Sequence, residues 1–166
     1  VERSRGLGDV YKRQIKGIDD PDGEIALCIL SAINVGAIGN LNELETLCDL
    51  SVRALDEIIE LQDYPVKAAE VSTKSRRSLG IGYIGLAHYL AKNGVKYSDP
   101  KAWELVDRLS EAFQYYLLRA SCDIAEEKGK CSAFDRTKYA DGLLPIDHYK
   151  KDCLLYTSPS PRDLST

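Results

Sequence analysis

Hydrophobic positions along this chain follow two rhythms. From Glu24 to Val35 the apolar residues run almost unbroken, with Cys28 in their midst, between turn signals. The turn on the leading side is Asp19-Asp20-Pro21-Asp22-Gly23. A run so rich in Ile, Leu and Val predicts a largely buried strand over its first part, although a buried helix has the same signature. From Asn40 the spacing becomes helical: Leu44, Leu47, Cys48, Val52, Leu55, Ile58 and Ile59 share one face. Asn40 is a good N-cap, and Glu43 three residues later resembles the second half of a capping box. Pro65 predicts that this helix ends before it. Residues 66–78 are polar and basic, and no element is predicted there. A short helix is expected from about Tyr83 to Lys92, closed by Asn93-Gly94 in a left-handed cap. Asp99-Pro100 opens the longest helix, with Asp as cap and Pro at the first helical position, where no amide is needed. Trp103, Val106, Phe113, Leu117, Ala120 and Ile124 trace its expected buried face, and Gly129 ends it. Residues 130–152 are turn-rich, with short apolar pieces such as Leu143-Leu144-Pro145-Ile146. No internal repeat is present.

Composition narrows the class. The chain has 166 residues, 44% hydrophobic and 29% charged, the balance of one soluble globular domain or a piece of a larger one. No apolar run reaches the roughly 18 residues of a membrane helix, and with no basic flank, apolar core and cleavage site near the start, export is not expected. A net charge of −4 without a basic block argues against nucleic acid as the main partner. Five irregularly spaced cysteines do not read as a disulfide scaffold, so a reducing, cytoplasmic setting is expected.

The two ends read differently from the middle. Asp9-Val10-Tyr11-Lys12-Arg13-Gln14 can be spelled GATGTGTATAAGAGACAG. The reverse complement of that DNA, read from its second base, encodes Cys-Leu-Leu-Tyr-Thr and begins a Ser codon, which is the run Cys153 to Ser158. One inverted element thus accounts for both ends, and it looks like the transposase adapter of sequencing libraries. The expected organisation is adapter translation at 1–14 and 153–166 around a partial domain at 15–152, whose own neighbours in a parent gene would be missing.

Several patterns invite a functional reading. Gly80-Ile81-Gly82-Tyr83-Ile84-Gly85 satisfies GxGxxG, the fingerprint of a dinucleotide loop. That loop needs a buried strand before it and an acidic residue about 20 positions on. The preceding Ser72–Ser78 segment is polar and cationic, and Lys101, Trp103 and Glu104 follow within a helix start, so packing glycines are the better reading. The cysteines with His88 and His148 offer no CxxC and no HxxxH, which is poor metal-site spacing. Tyr115 and Tyr116 are neighbours about 100° apart on a helix, so one should pack inward and the other outward. Cys28 alone would pass for a buried inert thiol. Ser31 and Asn34, polar groups in the same apolar run, suggest the lining of a site instead.

The run Gly23-Glu24-Ile25-Ala26-Leu27-Cys28, continued by Leu30-Ser31-Ala32 and Asn34-Val35-Gly36-Ala37-Ile38, resembles the large (alpha) subunit of class Ia ribonucleotide reductases. The likeness continues through Gln62-Asp63-Tyr64-Pro65, Arg76-Arg77-Ser78-Leu79-Gly80-Ile81-Gly82, Gln114-Tyr115-Tyr116-Leu117-Leu118, Leu144-Pro145-Ile146-Asp147 and Tyr149-Lys150-Lys151-Asp152. Related branches tend to carry Asn directly after this cysteine, and Ile29 here favours class Ia.

The resemblance implies an α/β fold, a piece of a ten-stranded α/β barrel that is locally mostly helical with one or two strands. It implies thiyl-radical reduction of a ribonucleoside diphosphate to its deoxy form. Cys28 then matches one of a pair of redox cysteines, whose Cα atoms must come within about 4.4–6.8 Å for a disulfide to close. Cys48, Cys122 and Cys131 match no redox position. The radical cysteine with its Asn and Glu neighbours, the partner thiol and the effector domain would lie outside residues 15–152. No cofactor or metal is expected on these residues. The parent would use nucleotide effectors, a radical-generating metal cofactor on a small (beta) subunit, and thioredoxin or glutaredoxin, and would form a homo-oligomer, with no nucleic-acid or membrane partner. Two other classes stay open on the residues alone: a helical binding or scaffold module, and an NAD-binding dehydrogenase resting only on GxGxxG.

Overall fold

Exposed and covered side chains alternate along β1, Ile29–Asn34, as they must in a strand covered on one side. The structure is a computed structural model that describes residues 23–143, in two compact units divided after Cys131. In the first unit β1 is followed by α1, Glu43–Leu61, α2, Lys67–Arg76, β2, Leu79–Ile84, α3, Leu86–Lys92, and α4, Pro100–Lys128. β2 pairs with β1 in parallel, in register from Ile29 opposite Leu79 to Asn34 opposite Ile84. The second unit holds a 3₁₀ turn at Phe134–Arg136, where the Thr137 hydroxyl donates to the Phe134 carbonyl at 2.7 Å. The fold is thus mostly helical with two parallel strands, as expected. The flanks at 1–14 and 153–166, His148 and the residues from Leu144 to Asp152 lie outside the described residues, as do Asp19 to Asp22.

The strand starts later than its composition suggested and is half-buried rather than buried. The segment ahead of it, Glu24 to Cys28, forms no ladder; the Ile25 amide donates to the Ala68 carbonyl at 3.1 Å and the Glu24 carboxylate meets Arg76 at 2.7 Å. Leu30 is 74% exposed because the helices cover only the other face of the sheet. On that covered face Ile33, with Val35 and Ile38 just beyond the strand, packs on Leu44 and Cys48 of α1 and Leu109 and Phe113 of α4. The Tyr83 ring meets Phe113 edge-on, centroids 5.4 Å apart. Farther along the same helices, Val52, Ala120 and Ile124 close over Leu79, Ile81 and Leu117.

The start of α1 uses the residues of its sequence signature, with Asn40 two positions ahead of the cap. Asn40 Oδ1 accepts from the Asn42 amide at 2.9 Å and Glu43 Oε1 from the Asn40 amide at 3.2 Å, so the pair closes the turn ahead of the helix, whereas the N-cap itself is Asn42, whose side chain makes no capping bond. Regular helix begins at Glu43 and stops at Leu61, short of Pro65. Ile58, expected inside, is 41% exposed, and Asp56 takes a buried place instead. Asp99 opens α4, but its carboxylate accepts from the Lys96 amide at 2.8 Å rather than from the helix. Trp103 departs furthest from expectation: Ala102 and Leu109 face inward and Trp103 is 74% exposed. A small residue lets α4 approach α3 there, and Ala102 packs with Leu90 and Val95.

Two segments differ in kind from their sequence reading. Residues 67–76 are helical although they lack an apolar period. Ala68, Ala69, Ser72 and Thr73 form a buried face of small side chains, while Glu70 pairs with Lys67 and Lys74 on the other side. The helix expected from Tyr83 starts only at Leu86, because Tyr83 and Ile84 still belong to the β2 ladder. Its end is as read: Gly94 has φ +67°, and the Val95 amide bonds the Leu90 carbonyl at 3.0 Å in a Schellman closure. Lys92 Nζ donates back to the Ile38 carbonyl at 2.8 Å, tying α3 to the loop after β1.

Gly85, at the β2–α3 turn, has φ +79°, and a Cβ there would press on Asn34 Oδ1 and lie 3.0 Å from the Gly36 nitrogen. Gly94 has a similar φ but open space around it. Each change to alanine brings left-handed strain of about 1–2 kcal/mol. Gly85→Ala should therefore lower stability clearly more than Gly94→Ala in urea melts; equal losses would show that Asn34 yields without cost.

Asp56 is 6% exposed and its two carboxylate oxygens accept from Arg77 at 2.6 Å and Lys128 at 3.1 Å. Burial raises its pKa, but hydrogen bonds from Arg77 and Lys128, with their charges, outweigh burial and hold the carboxyl below its ordinary value. A folded carboxyl that titrates below its unfolded value contributes fully above the ordinary carboxylate range and loses that contribution as pH falls through the folded value. Asp56→Asn should cost about 1–3 kcal/mol near pH 7. The gap from wild type should narrow below about pH 4. Denaturant melts from pH 7 to pH 3 measure both.

Candidate active site at the head of the sheet

Cys28 stands immediately before β1, and it is exposed rather than buried. It falls on the uncovered face of the sheet with Leu30, Ala32 and Asn34 of β1, opposite Gly80, Gly82 and Ile84 of β2. The backbone around it is held on both sides. The Ile29 amide donates to the Ser78 carbonyl at 3.2 Å, starting the ladder, and the Ile25 bond to α2 anchors the approach. The thiol lies 3.9 Å from the Ile29 carbonyl, a weak donor contact.

The start of β2 is fixed by charge. Arg77 ends α2 in the left-handed region at φ 49°, an uncommon place for a side chain of its size. Its guanidinium donates to the Asp56 carboxylate, to the Asp56 carbonyl at 2.9 Å and to Glu60, so α1 holds the turn in place. Lys128 at the end of α4 joins the same cluster through Asp56 and Glu57. Three residues beyond Arg77 comes Gly80, opposite Leu30, and a Cβ built there would lie 2.9 Å from Cys28 Sγ.

Ser31 and Asn34 do not line a site with Cys28. Ser31 alternates to the helix-covered side. Asn34 shares the face of Cys28 but is six residues along, about 20 Å at strand rise. Its side chain accepts from the Gly36 amide at 3.1 Å and shapes the turn after the strand. Sequence reasoning missed Asp56, and it met Gly80 only as a packing glycine of the GxGxxG run. An acidic residue between Val52 and Ile59 on a helical stripe is the signal for the first, and a glycine inside a strand for the second.

The other candidates resolve by position. GxGxxG is not a loop after a strand: Gly80 and Gly82 belong to the β2 ladder itself, so their amides form no phosphate cradle. Cys48 is in the core, and burial pushes its thiol up to about 11, which keeps it protonated and inert near neutral pH. Cys122 is exposed on α4, Cys131 half-buried, and no disulfide joins the four described cysteines. His88 is exposed on α3. Tyr115 points outward and Tyr116 packs against the core, rings edge to face at 5.4 Å. Among the described residues no three His, Cys, Asp or Glu side chains gather to hold a metal ion, and no helix is long and apolar enough to cross a membrane. An open groove of about 470 Å³ runs between α3 and α4 beside Trp103 and Tyr97. None of its walls comes from the segment carrying Cys28.

Comparison with known proteins agrees with the likeness drawn from the Cys28 run. The family model described as the ribonucleotide reductase barrel domain matches residues 11–164. Ribonucleoside-diphosphate reductase subunit alpha from Buchnera aphidicola of Schizaphis graminum is 59% identical over 140 residues, 84% of this chain and 18% of that protein. The subunit alpha of Haemophilus influenzae has the same identity and coverage, and that of Enterobacteria phage T4 is 40% identical over 136 residues, 81% of this chain and 18% of the relative. The chain thus spans about a fifth of the length of these relatives. A parallel pair bridged by helices, with a thiol at its head, is a segment of that barrel, and the chain belongs to the ribonucleotide reductase barrel-domain family.

Proposed function

We propose that this chain is part of the large subunit of a ribonucleoside-diphosphate reductase and that Cys28 is one of the two thiols that reduce the ribose. The observation that carries the reading is the placement of Cys28: an exposed thiol whose backbone is held at the head of a parallel strand, in a chain of this family. A core thiol like Cys48 is too buried and too weakly acidic for such work.

The chemistry asks little of Cys28 beyond direction and access. A thiyl radical on another cysteine of the parent takes the 3′ hydrogen of the ribose and later returns it. The 2′ hydroxyl leaves as water. The redox pair gives up two electrons and two protons and closes to a disulfide, so one ribonucleotide and two thiols become one deoxyribonucleotide, one disulfide and one water. Thioredoxin or glutaredoxin then reduces the disulfide by thiol exchange. A metal cofactor on the partner small (beta) subunit would supply the radical. Nucleotide effectors, a homo-oligomeric large subunit and a cytoplasmic setting belong to the same proposal.

The reading of 1–14 and 153–166 as translated adapter also belongs to it. It is supported by the inverted DNA element. Genomic DNA read across both ends should continue the reductase frame in place of the two flanks; the same flanks in the genome would overturn this part.

In the full-length subunit with its small partner, Cys28→Ser keeps the shape of the side chain but cannot form a disulfide. Hydrogen abstraction should survive and reduction should fail, giving released base or a stalled radical with little deoxynucleotide. Quantifying deoxynucleotide against free base decides it: a wild-type yield over many turnovers refutes the role of Cys28.

A further inference from the structure

Gly80 is the residue that the proposed chemistry leaves unexplained. It lies one residue inside the β2 ladder, opposite Leu30, and not in the left-handed region, so its backbone would accept alanine. Glycine inside a strand weakens it by roughly 0.5–1 kcal/mol relative to alanine. Such a glycine commonly marks a place where something must approach closely.

Here the approaching groups are identified. A Cβ at residue 80 would lie 2.6 Å from Leu30 Cδ2 and 2.9 Å from Cys28 Sγ, both closer than real Cβ contacts. The nearest backbone atom, the Ile29 carbonyl oxygen, would be at 3.9 Å, an ordinary contact. Both crowded atoms are ends of side chains that can turn about χ1. Alanine would therefore leave the ladder in place and push the thiol out of its direction. A disulfide tolerates little of that, because its dihedral and Cβ separation are narrowly set.

We infer that Gly80 is a positioning residue that sets the direction of the Cys28 thiol for closure of the redox disulfide. The inference rests on the assignment of Cys28 to the redox pair. Gly80 touches the thiol and acts through it. The missing Cβ leaves the space in which the sulfur sits over Gly80, 3.9 Å from the Ile29 carbonyl oxygen. The turn before it, locked by Arg77 on Asp56, keeps β2 from sliding away and so keeps the spacing constant.

The test uses the full-length large subunit with its small partner. Gly80→Ala should lower kcat for deoxynucleotide at least tenfold with KM within twofold, while base release shows that hydrogen abstraction continues. The dithiol–disulfide equilibrium of the pair should shift tenfold or more toward the dithiol, about 30 mV for this two-electron couple. An unaltered kcat and an unaltered equilibrium overturn the inference. If Gly80→Ala folds poorly, Gly80→Ala with Leu30→Ala removes the tighter contact and leaves the one with the thiol. A kcat still tenfold down then supports the role, and wild-type kcat overturns it. Cys28→Ser separates the two levels. A full deoxynucleotide yield there refutes the assignment of Cys28 itself. Loss there beside an unaltered Gly80→Ala refutes only the positioning role.

Discussion

Parallel pairing of Ile29–Asn34 with Leu79–Ile84 forces the chain to leave one end of β1 and return to the opposite end before it can lay down β2. That return is made by α1 and α2, and most of the first unit is organised by it. α1 must lie along one face of the sheet to cover Ile33, so its apolar stripe is committed to that face. α4 packs beside α1 and completes the cover through Leu109, Phe113, Ala120 and Ile124. The opposite face receives nothing from the described residues, which is why Leu30 and Ile84 are exposed there together with Cys28.

The crossover has to stop as firmly as it starts. Its beginning is the turn closed between Asn40 and Glu43, made of neutral and charged hydrogen bonds near the surface. Its end is Arg77, where an ion cluster does what a cap does elsewhere. One buried carboxylate, Asp56, receives a guanidinium from the end of α2 and an ammonium from the end of α4. Removing either partner would strand the other charge in a half-dry place, so such clusters are costly to break even where their net worth is small. The gain here is geometric: the first residues of β2 have one register against β1.

That register gives the site its meaning. A thiol at the head of a strand is unremarkable until the neighbouring strand is seen to leave a gap beside it. Gly80 lies across from Leu30 and against Cys28 because β2 starts at Leu79, and β2 starts there because Arg77 is held by α1. Packing, electrostatics and site geometry are thus links in one chain. The three glycines of the GxGxxG run divide along it: Gly80 gives room to a thiol, Gly82 faces open space in the ladder, and Gly85 makes the left-handed turn into α3.

Local pattern by itself determined the elements whose physics is local. The Asn40–Glu43 turn ahead of α1, the stop before Pro65, the Pro100 start and the Asn93-Gly94 end could all be read from neighbouring residues, because caps and breakers act within a turn of the helix. The run around Cys28 carried the family likeness for a similar reason: it is a contiguous segment. What only the tertiary structure decided were the features made by contacts between distant residues. α2 has no apolar period, and its helix is held by small side chains against neighbours and by charge pairs on its outer side. Trp103 and Leu30 fit an inward-facing pattern, yet both are exposed: small Ala102 fills the α3 contact, and only one face of the sheet is covered. The nearness of Gly80 to Cys28, fifty-two positions apart, follows from strand register, which no local spacing encodes.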